Sequence, residues 1–282
     1  ASFSFPTVDE ISLLQVLQHQ KTGKLFVADL PSPQLQPGGV LVKNVASVIS
    51  AGTERTSVQT ARASLIGKAR MRPDLVRQVL DNVKREGALA TYRKVKARLD
   101  NYKELGYSAA GIVVESSVSE FQPGDRVACA GVAYHAEEIF VPKNLVVHVP
   151  DSVPFDTAAF TTLATIALQG VRQADVRLGE TVVVIGIGLI GLLTIQLLKA
   201  SGCRVIGLDV TNANFSLAQG FGCDALFTLS RGTASSVHRL TKGRGADAII
   251  VTASSTSNEP LSLAMELSRK RGRVVIVGAV GM

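Results

Sequence analysis

Three glycines and an aspartate have the spacing that most clearly points to chemistry in this chain. Gly186, Gly188 and Gly191 follow the apolar segment 182–185 as a G-x-G-x-x-G motif, and Asp209 ends the next apolar segment. Gly186 permits a tight turn, Gly188 has no Cβ that would obstruct a phosphate, and Gly191 allows a helix to pack closely on a strand. An acidic residue about 20 positions after the first glycine completes the dinucleotide-binding fingerprint.

The motif also predicts which groups would bind the dinucleotide. Leu189 and Ile190 open the helix that Gly191 continues, and N–H groups in the first turn of a helix are free to face a pyrophosphate. Asp209 can accept hydrogen bonds from the ribose hydroxyls and would repel a 2′-phosphate. NAD(H) is therefore expected in preference to NADP(H).

Two other interpretations of the apolar run compete with a nucleotide site. One is a buried strand–helix pair without a ligand, and the other is a membrane span. Gln196 and Lys199 interrupt the run before the roughly 20 apolar residues that a span needs. The nucleotide site is the favoured interpretation.

The elements around the motif predict an α/β fold. Apolar segments recur near 181–186, 204–208, 224–228, 247–251 and 273–277. Helical stretches separate them, and this alternation is typical of a Rossmann-type, doubly wound parallel sheet. A complete dinucleotide fold has six strands, and the chain stops after the fifth, so we expect this sheet to be truncated at its C-terminus. Residues 151–282 are assigned to the NAD(P)-binding domain and residues 1–150 to a separate domain.

The first domain combines strands with a basic helical insert. Strand character is found at 25–27, 40–45, 109–115, 126–130 and 138–141. Between about 57 and 103 the apolar residues take helical spacing, as at Val76, Val79 and Val83, and Pro73 suits a first helical turn. The insert holds twelve Lys and Arg against four acids, so its net charge exceeds the +7 of the whole chain.

The charge of the insert has two interpretations. It could attract an anionic partner, such as nucleic acid or an acidic protein, or it could be a solvated helical face. Only Tyr92 and Tyr102 lie near the basic residues, and stacking aromatics are what single-stranded nucleic-acid sites require. The solvated face is favoured, and nucleic acid is not expected as a partner.

Cysteine usage and the N-terminus predict a cytoplasmic protein that does not engage a membrane. Cys129, Cys203 and Cys223 are too few and too scattered for a disulfide framework, and they suit a reducing compartment. The N-terminal segment has no basic start and carries Asp9 and Glu10 before its apolar stretch, unlike a secretory signal.

Several short motifs resemble those of the medium-chain dehydrogenase/reductase superfamily. They are Pro37-Gly-Gly-Val-Leu-Val, Gly52-Thr-Glu, Leu105-Gly-Tyr-Ser-Ala-Ala-Gly, Pro123-Gly-Asp-Arg-Val and His135-Ala-Glu. The resemblance implies that residues 1–150 form a GroES-like catalytic domain, and that Thr252 and Ala253 contact the nicotinamide end of the cofactor. The insert and Ser50-Ala-Gly-Thr-Glu-Arg further resemble the N-terminal module of bacterial bi-domain oxidoreductases.

The chain departs from this family at the zinc positions. Where zinc-dependent members carry their ligands, it has Ala51, Tyr107, Ser108 and Leu163. These side chains do not supply the nitrogen, sulfur or carboxylate ligands that zinc requires. The Cys-rich loop of the structural zinc site is absent as well, and we predict zinc at neither place.

Without a metal, polarisation of a substrate oxygen would fall on hydrogen-bond donors. By the resemblance, Thr53 takes the place of the family's proton-relay hydroxyl and Tyr107 that of a metal-ligating histidine, so both are candidate catalytic residues. The alternatives are a threonine in a turn or cap and a packing tyrosine. Glu54 and Arg55 could pair or line the pocket, whereas His135 is interpreted as a packing or surface residue.

The leading functional hypothesis is a zinc-independent, NAD(H)-dependent, alcohol-dehydrogenase-like oxidoreductase. Its expected partner is a small molecule with a hydroxyl or carbonyl group, such as a sugar or cell-envelope precursor, and a homo-oligomer is expected. The alternative is a non-catalytic dinucleotide-binding or assembly protein whose basic insert mediates partner contacts.

Overall fold

The computed structural model describes residues 12–62, 67 and 73–281. The N-terminal residues Asp9 and Glu10, and Lys68, Arg70 and Arg72 of the insert, lie outside the described residues. The chain divides into an N-terminal unit, Ala1–Thr162, and a C-terminal unit, Leu163–Met282. The assignment of functions to 1–150 and 151–282 stays a prediction.

The N-terminal unit contains two antiparallel sheets. The smaller has the order β2-β1-β4 and is formed by β1 (Ser12–His19), β2 (Leu25–Pro31) and β4 (Tyr102–Glu104). The larger has the order β7-β3-β5-β6-β8 and is formed by β3 (Gly39–Ser47), β5 (Ser108–Ser116), β6 (Arg126–Ala130), β7 (Glu138–Pro142) and β8 (Val146–His148). Its core is built from β-branched residues such as Val40, Val42, Val113 and Val127, which are almost completely buried.

Among the described residues between β3 and β4, three helices have defined bounds. They are α1 (Ala51–Arg62), α2 (Pro73–Glu86) and α3 (Ala88–Leu99). Pro73 opens α2 as the sequence predicted, and α2 packs against α3. The predicted insert start at 57 is wrong as a helix boundary, because the helix begins at Ala51. Ser50 begins this helix: its carbonyl accepts the Glu54 N–H at 2.9 Å, and its own N–H donates to the Glu54 carboxylate at 2.9 Å.

Residues 155–173, before the parallel sheet, form two helices rather than one. The chain forms a short helix, α4 (Phe155–Ala158), and then a separate helix, α5 (Thr161–Gln173). The last residues of the predicted insert are not helical. Tyr102 and Lys103 lie in strand β4 and pair with His19 and Gln18 of β1.

The C-terminal unit is a five-stranded parallel sheet with helices between the strands. Its order is β11-β10-β9-β12-β13, with β9 (Thr181–Ile185), β10 (Arg204–Asp209), β11 (Ala225–Thr228), β12 (Ala246–Val251) and β13 (Ser268–Ile276). The helices are α6 (Leu189–Ala200), α7 (Phe215–Gly220), α8 (Thr233–Leu240) and α9 (Glu259–Leu267).

Both faces of this sheet are covered, which confirms the predicted doubly wound α/β arrangement. Val182 and Val184 of β9 pack into one apolar cluster, while Val183 and Ile185 pack into the other. Neighbouring residues of a strand point to opposite faces, so a strand buried on both sides is apolar throughout. Among the described helices, none is long and apolar enough to span a bilayer.

Candidate functional site

The glycine-rich turn after β9 needs its glycines for three different reasons. Gly186 has φ +98°, in the left-handed region, and a Cβ there would lie 2.6 Å from the Ala253 nitrogen. A Cβ on Gly191 would lie 2.0 Å from the Gly186 oxygen. A Cβ on Gly188 would meet nothing within 4 Å, so this glycine borders open space directly before helix α6. That space lies where the sequence predicted the pyrophosphate.

Asp209 holds the glycine-rich turn from the end of β10. Its Oδ2 accepts the Ile187 N–H at 2.6 Å and its Oδ1 accepts the Thr211 N–H at 3.1 Å. Asn214 fixes the same loop from the other side by donating to the Ile187 carbonyl at 2.7 Å. Each carboxylate oxygen can accept more than one hydrogen bond, so Asp209 retains acceptor capacity for ribose hydroxyls.

Thr252 and Ala253 reach the same turn from the end of β12. Both of their N–H groups donate to the Ile185 carbonyl at 2.9 Å, and the Thr252 hydroxyl donates to the Gly186 carbonyl at 2.5 Å. The carboxyl ends of parallel strands meet at one edge of a sheet, which explains why three distant segments converge here. These residues fit a dinucleotide: an open glycine cradle, a helix N-terminus and a carboxylate with free acceptor capacity.

Tyr107 forms a hydroxyl pair in the N-terminal unit. It is half-buried, and its hydroxyl donates to the Ser50 Oγ at 2.8 Å. Ser50 is itself buried, with 7% of its surface exposed. Thr53 lies in the first turn of α1 and is exposed; among the described hydrogen bonds, none joins its hydroxyl to Tyr107. The sequence prediction of Tyr107 and Thr53 as a catalytic pair stays a prediction.

Glu54 and His135 form an ion-pair geometry that sequence reasoning missed. The His135 Nε2 lies 3.2 Å from the Glu54 Oε2, and only 11% and 12% of the two side chains are exposed. Because a carboxylate only accepts, Nε2 carries a proton in this arrangement. The His135 Nδ1 lies 2.8 Å from the Ser47 Oγ.

Two expectations about these residues therefore need correction. Glu54 pairs with His135 rather than with Arg55, although Glu54 and Arg55 do line one cleft, as the other alternative had it. His135 is part of a polar network rather than a packing or surface residue. The two partners lie 81 positions apart, so spacing could not reveal the pair. The sequence feature that could have drawn attention to Glu54 is its position directly after Thr53, the predicted relay threonine.

The zinc positions of the family contain no metal-binding group in the described structure. Ser108 is buried and donates its hydroxyl to the Ala159 carbonyl, and Leu163 is an apolar core residue. Within the described ranges, no three or more His, Cys, Asp or Glu side chains are grouped so that they could hold a metal ion. The absence of zinc remains a prediction.

Comparison with known proteins points to one family. Residues 190–282 match the family model described as zinc-binding dehydrogenase. The chain is 33% identical to D-guloside 3-dehydrogenase of Escherichia coli K12 over 154 residues, which cover 53% of this chain and 44% of that protein. It is 27% identical to the NAD-dependent alcohol dehydrogenase of Sulfurisphaera tokodaii over 277 residues, which cover 91% of this chain and 76% of the relative.

The fold agrees with these sequence matches. A mycobacterial protein solved as a complex with NADPH superposes with a TM-score of 0.70 at 22% identity, over 95% of this chain and 74% of that one. The matched stretch spans less than half the length of several curated relatives, 40% to 44%.

Together these observations show the fold of the dinucleotide-binding dehydrogenases, with a GroES-like unit followed by a Rossmann-type parallel sheet. Within that class, the matches support a medium-chain dehydrogenase/reductase.

Proposed function

We propose that this protein is an NAD(H)-dependent oxidoreductase that interconverts a hydroxyl and a carbonyl group without zinc. The observation that carries the proposal is the cradle formed by Gly186, Asp209 and Thr252 at one edge of the parallel sheet. In this proposal the C-terminal unit holds the cofactor, and the N-terminal unit supplies the acid–base groups.

The preference for NAD(H) depends on Asp209. A carboxylate that already accepts two backbone hydrogen bonds is held in place, and it would bind ribose hydroxyls and repel a 2′-phosphate. The residues after it, Val210 to Asn214, include no Lys or Arg. The relative from Sulfurisphaera is named as NAD-dependent, while the mycobacterial neighbour was solved with NADPH, so the cofactor needs a direct test.

The chemistry can be assigned to this chain's own residues. A bound nicotinamide cofactor would supply the hydride exchange. For Tyr107 to donate its single hydroxyl proton to the substrate oxygen, the Ser50 hydroxyl, 2.8 Å away, would rotate to donate to the phenol oxygen and so hold the phenol in position. Thr53, exposed in the same helical turn, would supply a second donor.

The proposed substrate is a small hydroxyl or carbonyl compound, and a sugar derivative is the class to test first. D-guloside 3-dehydrogenase, which acts on a sugar derivative by its name, is a relative over half of this chain. A non-catalytic, dinucleotide-binding protein is the alternative.

The experiment is to measure turnover and NADH affinity on the same samples. Tyr107→Phe and Thr53→Val should each lower kcat on a sugar, aldehyde and ketone panel by about 100-fold, the lower range for general acid–base groups. NADH affinity, followed by its fluorescence, should not change. Tyr92→Phe is the matched control, because Tyr92 is 64% exposed on helix α3.

Two outcomes separate the hypotheses. Tight NADH binding without turnover on any panel member would favour the non-catalytic alternative. Full activity of Tyr107→Phe would remove the tyrosine from the mechanism.

Removal of divalent metal is a separate test. Dialysis against a chelator should leave the turnover rate unchanged, because polarisation would come from hydroxyl donors. Loss of activity that added zinc restores would refute the zinc-free mechanism.

A further inference from the structure

The N-terminal unit contains a cleft along helix α1, which we name the α1 cleft. Its volume is about 660 Å³, within the range of small-molecule sites. Its apolar wall comes from strands β1 and β2, from helix α1 and from the segments before α1 and β5: Val16, Leu25, Ile49, Val58 and Leu105. The wall is suited to an aliphatic chain.

Two arginines line the same cleft. Arg55, Val58 and Arg62 follow the i, i+3, i+7 spacing of one helix face and all border the cavity. Among the described residues, neither guanidinium has an ion-pair or hydrogen-bond partner. Glu54 is the single acid in this lining, and its carboxylate is already bound to His135 and to the Ser50 N–H. The cleft therefore carries uncompensated positive charge.

The walls of the cleft are fixed by contacts outside it. Gln18 of β1, only 2% exposed, donates its amide to the Ser57 carbonyl at 3.2 Å and accepts the Ser57 hydroxyl at 3.0 Å, which fastens α1 to β1. Gly23, in the β1–β2 turn, lies so close to Arg62 that a Cβ would be 2.8 Å from the Arg62 Cγ. The stem of Arg62 is thus positioned by the turn, and the residue borders the cleft.

We propose that the α1 cleft binds a small amphipathic anion. Its aliphatic part would pack against Val16, Leu25 and Val58, and its carboxylate or phosphate would pair with the guanidinium groups of Arg55 and Arg62. Arginine is suited to both anions, because its planar fork matches two acceptor oxygens at once. This inference goes beyond the proposed function, since binding needs neither the cofactor nor turnover.

Calorimetric titration of the whole chain, without cofactor, tests the proposal. The probes are octanoate, octyl phosphate and neutral octanol at one ionic strength, below their aggregation concentrations. At least one anion should bind at least about tenfold more tightly than octanol, because a charged hydrogen bond is worth roughly 1.5–3 kcal/mol. The tighter of the two anions identifies the preferred head group.

Variants decide whether the arginines are responsible. Arg55→Gln and Arg62→Gln should each weaken anion binding by about tenfold, with octanol binding unchanged, and Arg55→Lys should retain part of the affinity. Arg239→Gln, which removes the same charge from an exposed position of helix α8 in the other unit, is the matched control. Circular dichroism of each variant confirms that the fold is intact.

The proposal fails if octanol binds as tightly as both anions, if neither anion binds, or if Arg239→Gln causes the same loss as the cleft variants. None of these outcomes depends on NADH binding or turnover, so failure here is distinct from failure of the proposed oxidoreductase function.

Discussion

The carboxylate of Asp209 has a structural role in the glycine-rich loop and a proposed role in cofactor selection. It accepts the backbone N–H groups of Ile187 and Thr211, so it shapes the glycine-rich loop before any ligand is bound. In the proposed function the same oxygens also select the cofactor. Loop geometry and cofactor preference are therefore coupled at this residue.

The substitution Asp209→Asn tests this coupling. Asparagine has one acceptor oxygen, so one of the two backbone N–H groups loses its partner at a cost of about 1–3 kcal/mol. We expect NADH affinity to fall at least tenfold while NADPH affinity changes less, and the melting temperature to fall. Binding titrations with both cofactors and a thermal melt measure these effects.

Asp81→Asn is the control for Asp209→Asn, since Asp81 is exposed on helix α2. It should bind both cofactors as the unsubstituted protein does. If Asp209→Asn also binds NADH without loss, the carboxylate does not recognise the ribose.

Local patterns predicted the geometry of the glycine-rich turn well and the N-terminal network poorly. Gly186, Gly191 and Asp209 belong to one strand–turn–helix–strand stretch, where spacing alone fixes which backbone position needs glycine and where the acid must lie. Glu54 and His135 meet only because α1 packs beside the segment that follows β6, and no local pattern encodes that contact. The residues of the polar network are therefore brought together by long-range packing.

At the scale of elements, Asp247 connects three strands at the amino edge of the parallel sheet. Asp247 lies in β12. Its carboxylate accepts one hydrogen bond from the Thr181 N–H of β9, at 2.8 Å, and another from the Nε of Arg269 in β13, at 2.6 Å. Burial acts to raise the pKa of Asp247, but the hydrogen bonds from Thr181 and Arg269 and the nearby Arg244 outweigh it and hold that pKa below its usual value.

This pKa shift predicts how stability depends on pH. A carboxyl group whose pKa is lower in the folded state stabilises the fold above its unfolded pKa, about 3.9, and this contribution is lost as the pH falls through the folded pKa. Asp247→Asn should lower the melting temperature at pH 7 and flatten its decline below about pH 4. Melting curves between pH 2 and 7, with Asp81→Asn as control, measure both effects.

The melting temperature of the Asp247→Asn variant should still fall to some extent at low pH. The pKa of Asp224 is also lowered, since its bonds to Lys199 and the Val205 N–H outweigh the effect of burial. An unchanged pH profile in Asp247→Asn would show that its pairing with Arg269 does not contribute to the acid transition.

Element boundaries show where sequence patterns reach their limit. Helix α2 begins at Pro73 as predicted, because proline suits a first turn whatever surrounds it. Strand β13 begins at Ser268 rather than near 273, since Ser268 pairs with Ala246 across an irregular register. The first part of this strand contains the basic residues Arg269 to Arg271, so a search for apolar segments does not find it.

For the whole molecule, the three thiols divide between the two units. Cys129 lies in the N-terminal unit, whereas Cys203 and Cys223 lie in the C-terminal unit, and all three are buried and free. Burial raises the pKa of each thiol, and that of Cys129 to about 12. Because the thiolate is the reactive form, the folded protein should resist alkylation.

Thiol labelling therefore reports unfolding of each unit separately. At pH 8, alkylation of Cys129 should be slower in the folded protein than in the unfolded chain by roughly a thousandfold, the ratio of thiolate for a pKa of about 12 and an ordinary thiol. Mass spectrometry after labelling across a denaturant series measures each site. Rapid labelling of Cys129 without denaturant would contradict its buried environment.

The cofactor cradle and the polar network differ in how the chain encodes them. The glycine-rich turn and Asp209 lie in one strand–turn–helix–strand stretch, from Gly186 to Asp209, whereas the network is gathered from Ser47, Glu54, Tyr107 and His135. A continuous stretch can be inherited and recombined intact, while a network built from dispersed positions changes with any one of them. Under the proposed function, single substitutions would therefore alter the acid–base network more readily than the cofactor site.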